Sequence, residues 1–82
     1  MAKARKSVNS KIDLFIISQV KRMREQLDFT QEDIAIHLNV STGYIGHIES
    51  PLFRAKYNTG HLNELAKLLK CSPKDFFPEK PI

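Results

Sequence analysis

Apolar residues recur along this chain with helical spacing. Ile12, Ile16, Val20, Met23 and Leu27 step by four, four, three and four, which lines one face of a first helix. Phe15 and Ile17 widen that face, and Asp28 and Phe29 interrupt it. Thr30 then predicts an N-cap, with Asp33 in the N3 position of a capping box. Ile34, Ala35 and Leu38 give a short second helix its buried side, and Asn39 suits a left-handed helix end. Ser41 is the next candidate cap, and Ile45 and Ile48 form the apolar pair of a third helix ending near Glu49. Ser50 to Tyr57 is a connection containing Pro51. A fourth helix over about Thr59 to Leu69 turns Leu62, Leu65, Ala66, Leu68 and Leu69 inward. Ser72-Pro73-Lys74-Asp75 supplies a cap, a proline at the first helical position and an acid at N3. The fifth helix they start is short, because Pro78 follows Phe76 and Phe77. No stretch alternates with a period of two long enough to suggest a sheet. The expected fold is an all-α bundle of five helices.

The length limits this to one domain: 82 residues leave no room for a second core, which needs roughly 50 more. A content of 41% hydrophobic and 27% charged residues is ordinary globular composition. The longest apolar run, Leu14 to Ile17, is four residues, whereas a membrane span needs about 20. The basic N-terminus lacks the apolar stretch of a secretory signal. A single cysteine, Cys71, excludes an intrachain disulfide. Together these features predict a cytoplasmic protein with no membrane association and no room for a lidded enzyme pocket.

Charge is distributed unevenly. The net charge is +4. Residues 1–11 hold Lys3, Arg5, Lys6 and Lys11 without an acid, and residues 12–82 hold nine basic and nine acidic residues. The excess therefore sits in an arm, and the body is neutral. Such an arm either lies along phosphates or in a minor groove, or is a solvated terminus. The expected organisation is a flexible basic arm over 1–11, a folded domain over 12–77 and a short tail over 78–82.

Two short helices joined by Leu38-Asn39-Val40-Ser41 form a helix-turn-helix, whose second helix is suited to a DNA major groove. The residues themselves extend the match. Val20 to Glu25, Phe29 to Ala35 and Leu38 to Glu49 together resemble the Cro/C1-type (XRE) helix-turn-helix family. Leu65 to Leu69 followed by Cys71 to Phe77 looks like that family's fourth and fifth helices. The resemblance covers about residues 12–77. It implies a lambda-repressor-like bundle, usually a homodimer, that binds operator DNA in the nucleoid. It gives Gln31 a phosphate contact at the start of the second helix, where the helix dipole assists. It also implies a structural ion pair between Arg24 and Glu49, buried between the first and third helices.

Projection of the third helix at about 100° per residue sets Gly43 at zero, His47 at about +40°, Gly46 at about −60° and Thr42 at about −100°. Ile48 and Ile45 fall near 140° and 200°, on the opposite side. Thr42, Gly43, Gly46 and His47 are thus the candidate base contacts. This face carries no Arg or Lys, so the commonest specific contact, arginine to guanine, is missing. Thr42 offers a donor, an acceptor and a methyl, and His47 offers ring nitrogens. The two glycines either admit close backbone approach or belong to a frayed helix. Tyr44, at the edge of the face, is a candidate phosphate contact.

The following connection departs from the family pattern, which has a glycine one or two residues after the glutamate; here Ser50 and Pro51 stand there, and the loop is longer. Its Arg54, Lys56, Tyr57 and Asn58 are candidate phosphate contacts beside the third helix. His37, His47, His61 and Cys71 lack metal-ligand spacing, so no metal or other cofactor is expected. No nucleophile–base pair or phosphate loop suggests an enzyme. Cys71 reads as a buried core thiol. The leading expectation is a sequence-specific DNA-binding transcriptional regulator with no effector domain and no small-molecule ligand. The alternative is a protein-interaction module, antitoxin- or adaptor-like, that retains the fold.

Overall fold

The computed structural model describes residues 9–82. Among them are four α-helices, α1 (Lys11–Gln26), α2 (Gln31–Leu38), α3 (Thr42–Glu49) and α4 (Thr59–Leu69), followed by a 3-10 turn over Pro73–Phe76. The described residues contain no strand. The fifth helical element is thus a single 3-10 turn and not an α-helix. Ser72 caps it and the Asp75 side chain returns to the cap backbone, as its sequence predicts. Phe77 is already extended, and Pro78 follows it, so an i→i+4 ladder has no length in which to propagate.

Helix boundaries are set by side chains. Thr30 accepts a hydrogen bond from the Asp33 backbone while Asp33 returns to Thr30, which starts α2. Ser10 and Asp13 do the same for α1. Residues 9–11, read from sequence as arm, are therefore part of the fold. The basic residues Lys3, Arg5 and Lys6 lie outside the described residues. Asn39 ends α2 in the left-handed conformation, φ 59°. Asp28 and Lys70, with φ 62° and 58°, turn the chain the same way after α1 and α4 without a glycine.

α2 packs on α3 and α4, α1 packs on α3 and the 3-10 turn, and α4 also meets the turn. The core is built from Val20, Ile34, Ile45, Ile48, Leu65 and Phe76, each nearly or fully inaccessible. Phe76 reaches it from the 3-10 turn, which is how so short an element closes the bundle. Phe77 and Phe15 are exposed. Leu27, assigned to the inward face of α1 by periodicity, is the C-cap residue and is also exposed. Cys71 is half-buried against the core, and burial pushes its thiol pKa up.

Candidate nucleic-acid interface

The turn between α2 and α3 is three residues long, Asn39 to Ser41. The Val40 amide donates back to Ala35, and the Ser41 hydroxyl accepts from the Tyr44 amide at 3.0 Å. Both ends of the turn are hydrogen-bonded, so α3 leaves α2 at a fixed angle. Its inner side is anchored by Ile45 and Ile48, 0% and 1% exposed. Thr42, Gly43 and His47 are exposed on the opposite side and Gly46 is half-buried. The structure thus brings together the four residues that the helical projection placed on one face.

Both glycines fall within α3, Gly43 in its first turn and Gly46 in its middle. Neither has a positive φ. A methyl group built on Gly43 would meet nothing within 4 Å, and one on Gly46 would lie 3.6 Å from the Gln31 side-chain oxygen. The fold itself therefore makes no steric demand for glycine at either position, although each costs roughly 1 kcal/mol of helix propensity against alanine.

Behind the face lies a buried polar cluster. The Arg24 guanidinium grips Glu49 through two bonds of 2.8 Å and donates a third, at 3.0 Å, to the Phe29 carbonyl. The two side chains are 10% and 3% exposed. The predicted ion pair is therefore present, bidentate and buried. It joins the end of α3 to α1 and to the loop before α2. Gln31 adds a hydrogen bond to the same Glu49 carboxylate at 2.9 Å. Burial alone would push the Glu49 carboxyl up; the bonds from Arg24 and Gln31 and the charge of Arg24 outweigh it and hold the carboxyl below its usual range. Arg24 is correspondingly raised, first by its bond to Glu49.

The loop after α3 departs further from expectation. Tyr57 is not a surface residue. It is 8% exposed within the core, and its hydroxyl is buried without a hydrogen-bond partner among the described residues. Burial raises the pKa of the phenol well above the ordinary tyrosine value. This removes Tyr57 from the phosphate-contacting set. Lys56 is exposed but bonded to Asp13 at 3.1 Å, so part of its charge is spent on tying the loop to the start of α1. Asn58 is exposed and caps α4, its side-chain oxygen accepting from the His61 amide at 2.7 Å. Arg54 is exposed and makes no hydrogen bond or ion pair among the described residues. Tyr44 is half-buried at the edge of the face, its ring edge-on to His61 with centroids 6.5 Å apart.

No protein-family model matches the chain, and no curated protein does. Solved structures do. The restriction-modification controller protein C.AhdI from Aeromonas hydrophila superposes with a TM-score of 0.64 at 23% identity, over 79% of this chain and 97% of that one. A hypothetical transcription factor, NHTF, from Neisseria superposes with a TM-score of 0.67 at 12% identity, over 92% of this chain and 85% of that one. The chain shares the fold of these two structures, and its α2–turn–α3 unit is a helix-turn-helix.

Within this helix-turn-helix, sequence reading missed one partner of Gln31 and two side chains, Phe53 and Asn9. Gln31 was assigned to a phosphate, yet one of its amide hydrogens is engaged by Glu49. Phe53 stacks on His47 with ring centroids 4.1 Å apart and planes within 16°. Asn9, counted with the arm, is 8% exposed and donates to the Phe53 and Ala55 carbonyls at 3.4 Å each. The available signal for Phe53 was an aromatic residue in the connection that directly follows α3. Nothing local marks Asn9, because its partners lie more than 40 residues away. No helix among the described residues is long and apolar enough to cross a membrane.

Proposed function

We propose that this protein is a sequence-specific DNA-binding transcriptional regulator that lays α3 in the major groove. The observation that carries the reading is the two-sidedness of α3. One side is locked into the core by Ile45, Ile48 and Glu49, and the other presents the largely exposed Thr42, Gly43 and His47 with the half-buried Gly46, where the fold has no steric need of glycine. A helix of this kind meets the requirement for reading base edges, namely a fixed backbone with small or hydrogen-bonding residues outward. Both similar structures carry regulatory descriptions, which supports the reading.

In this proposal Thr42 and His47 hydrogen-bond base edges, and Gly43 and Gly46 let the backbone approach the groove floor. Gln31 uses its second amide hydrogen on a phosphate while the first holds Glu49, as the N-terminus of α2 favours an anion. The Tyr44 hydroxyl, Arg54, Lys56 and the Asn58 amide grip the flanking backbone, with Lys56 weakened by Asp13. The protein acts in the cytoplasm as a homodimer on two half-sites about 34 Å apart.

The test is selection of duplexes from a random library, followed by fluorescence anisotropy of the selected duplex against a scrambled one across a salt series. A palindromic consensus, and affinity that falls steeply with salt, are the expected results. The absence of Arg and Lys from the outer face of α3 is the one feature that favours a protein partner instead. No binding to any duplex at moderate salt would overturn the DNA reading and shift the weight to that second one, with a pull-down as the next step.

A further inference from the structure

We infer that Phe53 is a positioning residue for base recognition: it holds the His47 ring in one orientation on the outer face of α3, and Asn9 in turn holds Phe53. The inference rests on the proposal that His47 meets a base edge. Its own basis is geometric. His47 is exposed on α3, and an exposed histidine on a helix ordinarily samples several rotamers. Here one face of the imidazole is covered by the Phe53 ring at 4.1 Å in a nearly parallel stack. Neither ring nitrogen is hydrogen-bonded among the described residues. The ring is therefore fixed by packing, while both nitrogens on its edge remain available. That is the arrangement wanted for a directional hydrogen bond to a base, because the rotamer entropy is lost before binding.

Phe53 is a loop residue and would not be rigid on its own. It is 42% exposed, and Leu52 beside it is 81% exposed. The loop is steadied at the backbone. The Asn9 amide donates to the carbonyls of Phe53 and Ala55, and Lys56 closes onto Asp13. Both tethers run to the start of α1. A chain of contacts thus leads from Asn9 through the loop to the ring that reads.

The experiment measures binding of the full chain to the selected duplex and to every single-base variant of it, for F53A, H47A, the double variant and F53W. H47A is expected to flatten discrimination at one base pair of each half-site. F53A is expected to flatten it at that same pair by roughly 2- to 10-fold, the cost of ordering a freed side chain. Other pairs change little. F53A should add nothing in the H47A background, and F53W, which restores a flat ring, should recover discrimination. F53A should also shift the His47 ring-proton resonances in the absence of DNA. A uniform loss across all base pairs, an additive double variant or unmoved His47 resonances would overturn the inference. If H47A is selective and F53A is not, the inference alone fails. If H47A leaves discrimination intact, or the library yields no enriched duplex, the base-reading role of His47 fails first and the inference with it.

Discussion

The two sides of α3 obey different rules. On the inner side every group is accounted for. Ile45 and Ile48 are sealed in the core, and Glu49 satisfies both carboxylate oxygens with Arg24 and Gln31. On the outer side, eight residues of helix carry two glycines with room for a methyl group and a histidine held only by a stacked ring. The inner side is what a stable fold requires. The outer side gives up helix propensity that the fold could have kept. The contrast teaches that the residues that stabilise the fold and those proposed to read DNA are separated across one helix, about half a turn apart.

The sharpest way to break the contrast is from inside. Glu49→Ala leaves the Arg24 guanidinium buried without a counter-charge, and loss of one partner of a buried pair costs about 3–5 kcal/mol. That is a large share of the roughly 5 kcal/mol available to a small domain. Urea denaturation should find the variant largely unfolded; an unchanged midpoint would show that the pair holds nothing.

Acid offers a graded version of the same test. The Glu49 carboxyl is depressed below its ordinary value of 4.5 in the folded state. Its contribution is therefore fully present above that value and is lost as pH falls through the depressed one. Thermal midpoints measured downward from pH 6 should fall in that window. In a Glu49→Gln background the fall should be shallower.

From outside, the contrast predicts opposite signs for stability and binding. Gly43→Ala should raise stability by about 1 kcal/mol, because nothing in the fold opposes the methyl group. Gly46→Ala should gain somewhat less, since Gln31 lies at contact distance. Both should bind the selected duplex more weakly. A gain in stability with unchanged affinity would place the DNA elsewhere.

Away from α3, Asp28→Gly and Lys70→Gly should each stabilise by about 1 kcal/mol or less by relieving left-handed backbone. Neither should touch DNA affinity. The smallest effect is expected from Arg54→Ala, which should lower the salt slope by about 0.9, the loss of one phosphate contact, with sequence preference unchanged. An altered preference would move Arg54 from the backbone to a base edge.

What the sequence made legible was whatever is local. Thr30 with Asp33, Asn39, Ser41 and the bounds of α4 all follow from residues three or four apart, the distance over which caps and helical faces act. The Arg24–Glu49 pair spans 25 residues, and only the family resemblance pointed to it. The αL position of Lys70 was not legible, because lysine does not announce a left-handed end; Asp28, a residue type that tolerates this conformation, was read only as an interruption of the α1 face. The His61 ring closes the capping box of α4 in place of an acid, so the usual signature was missing there. Tyr57 was misplaced because its neighbours in sequence, Arg54, Lys56 and Asn58, are polar. Its burial depends on how an irregular loop returns to the core, which no periodicity encodes. The outer face of α3 was legible as a face, but the stack that orders His47 was not.

The three-residue turn, sealed by Asn39 and Ser41, has a consequence for protein engineering. Because α3 is aimed by its neighbours and not by Thr42, Gly43, Gly46 or His47, these four positions amount to a cassette. A library randomised there, with Phe53 retained and the duplex as bait, should return folded proteins at high frequency. If the proposed reading face is right, the same separation gives evolution a short route to new specificity, in which the outer residues are exchanged while the frame that aims them is left alone.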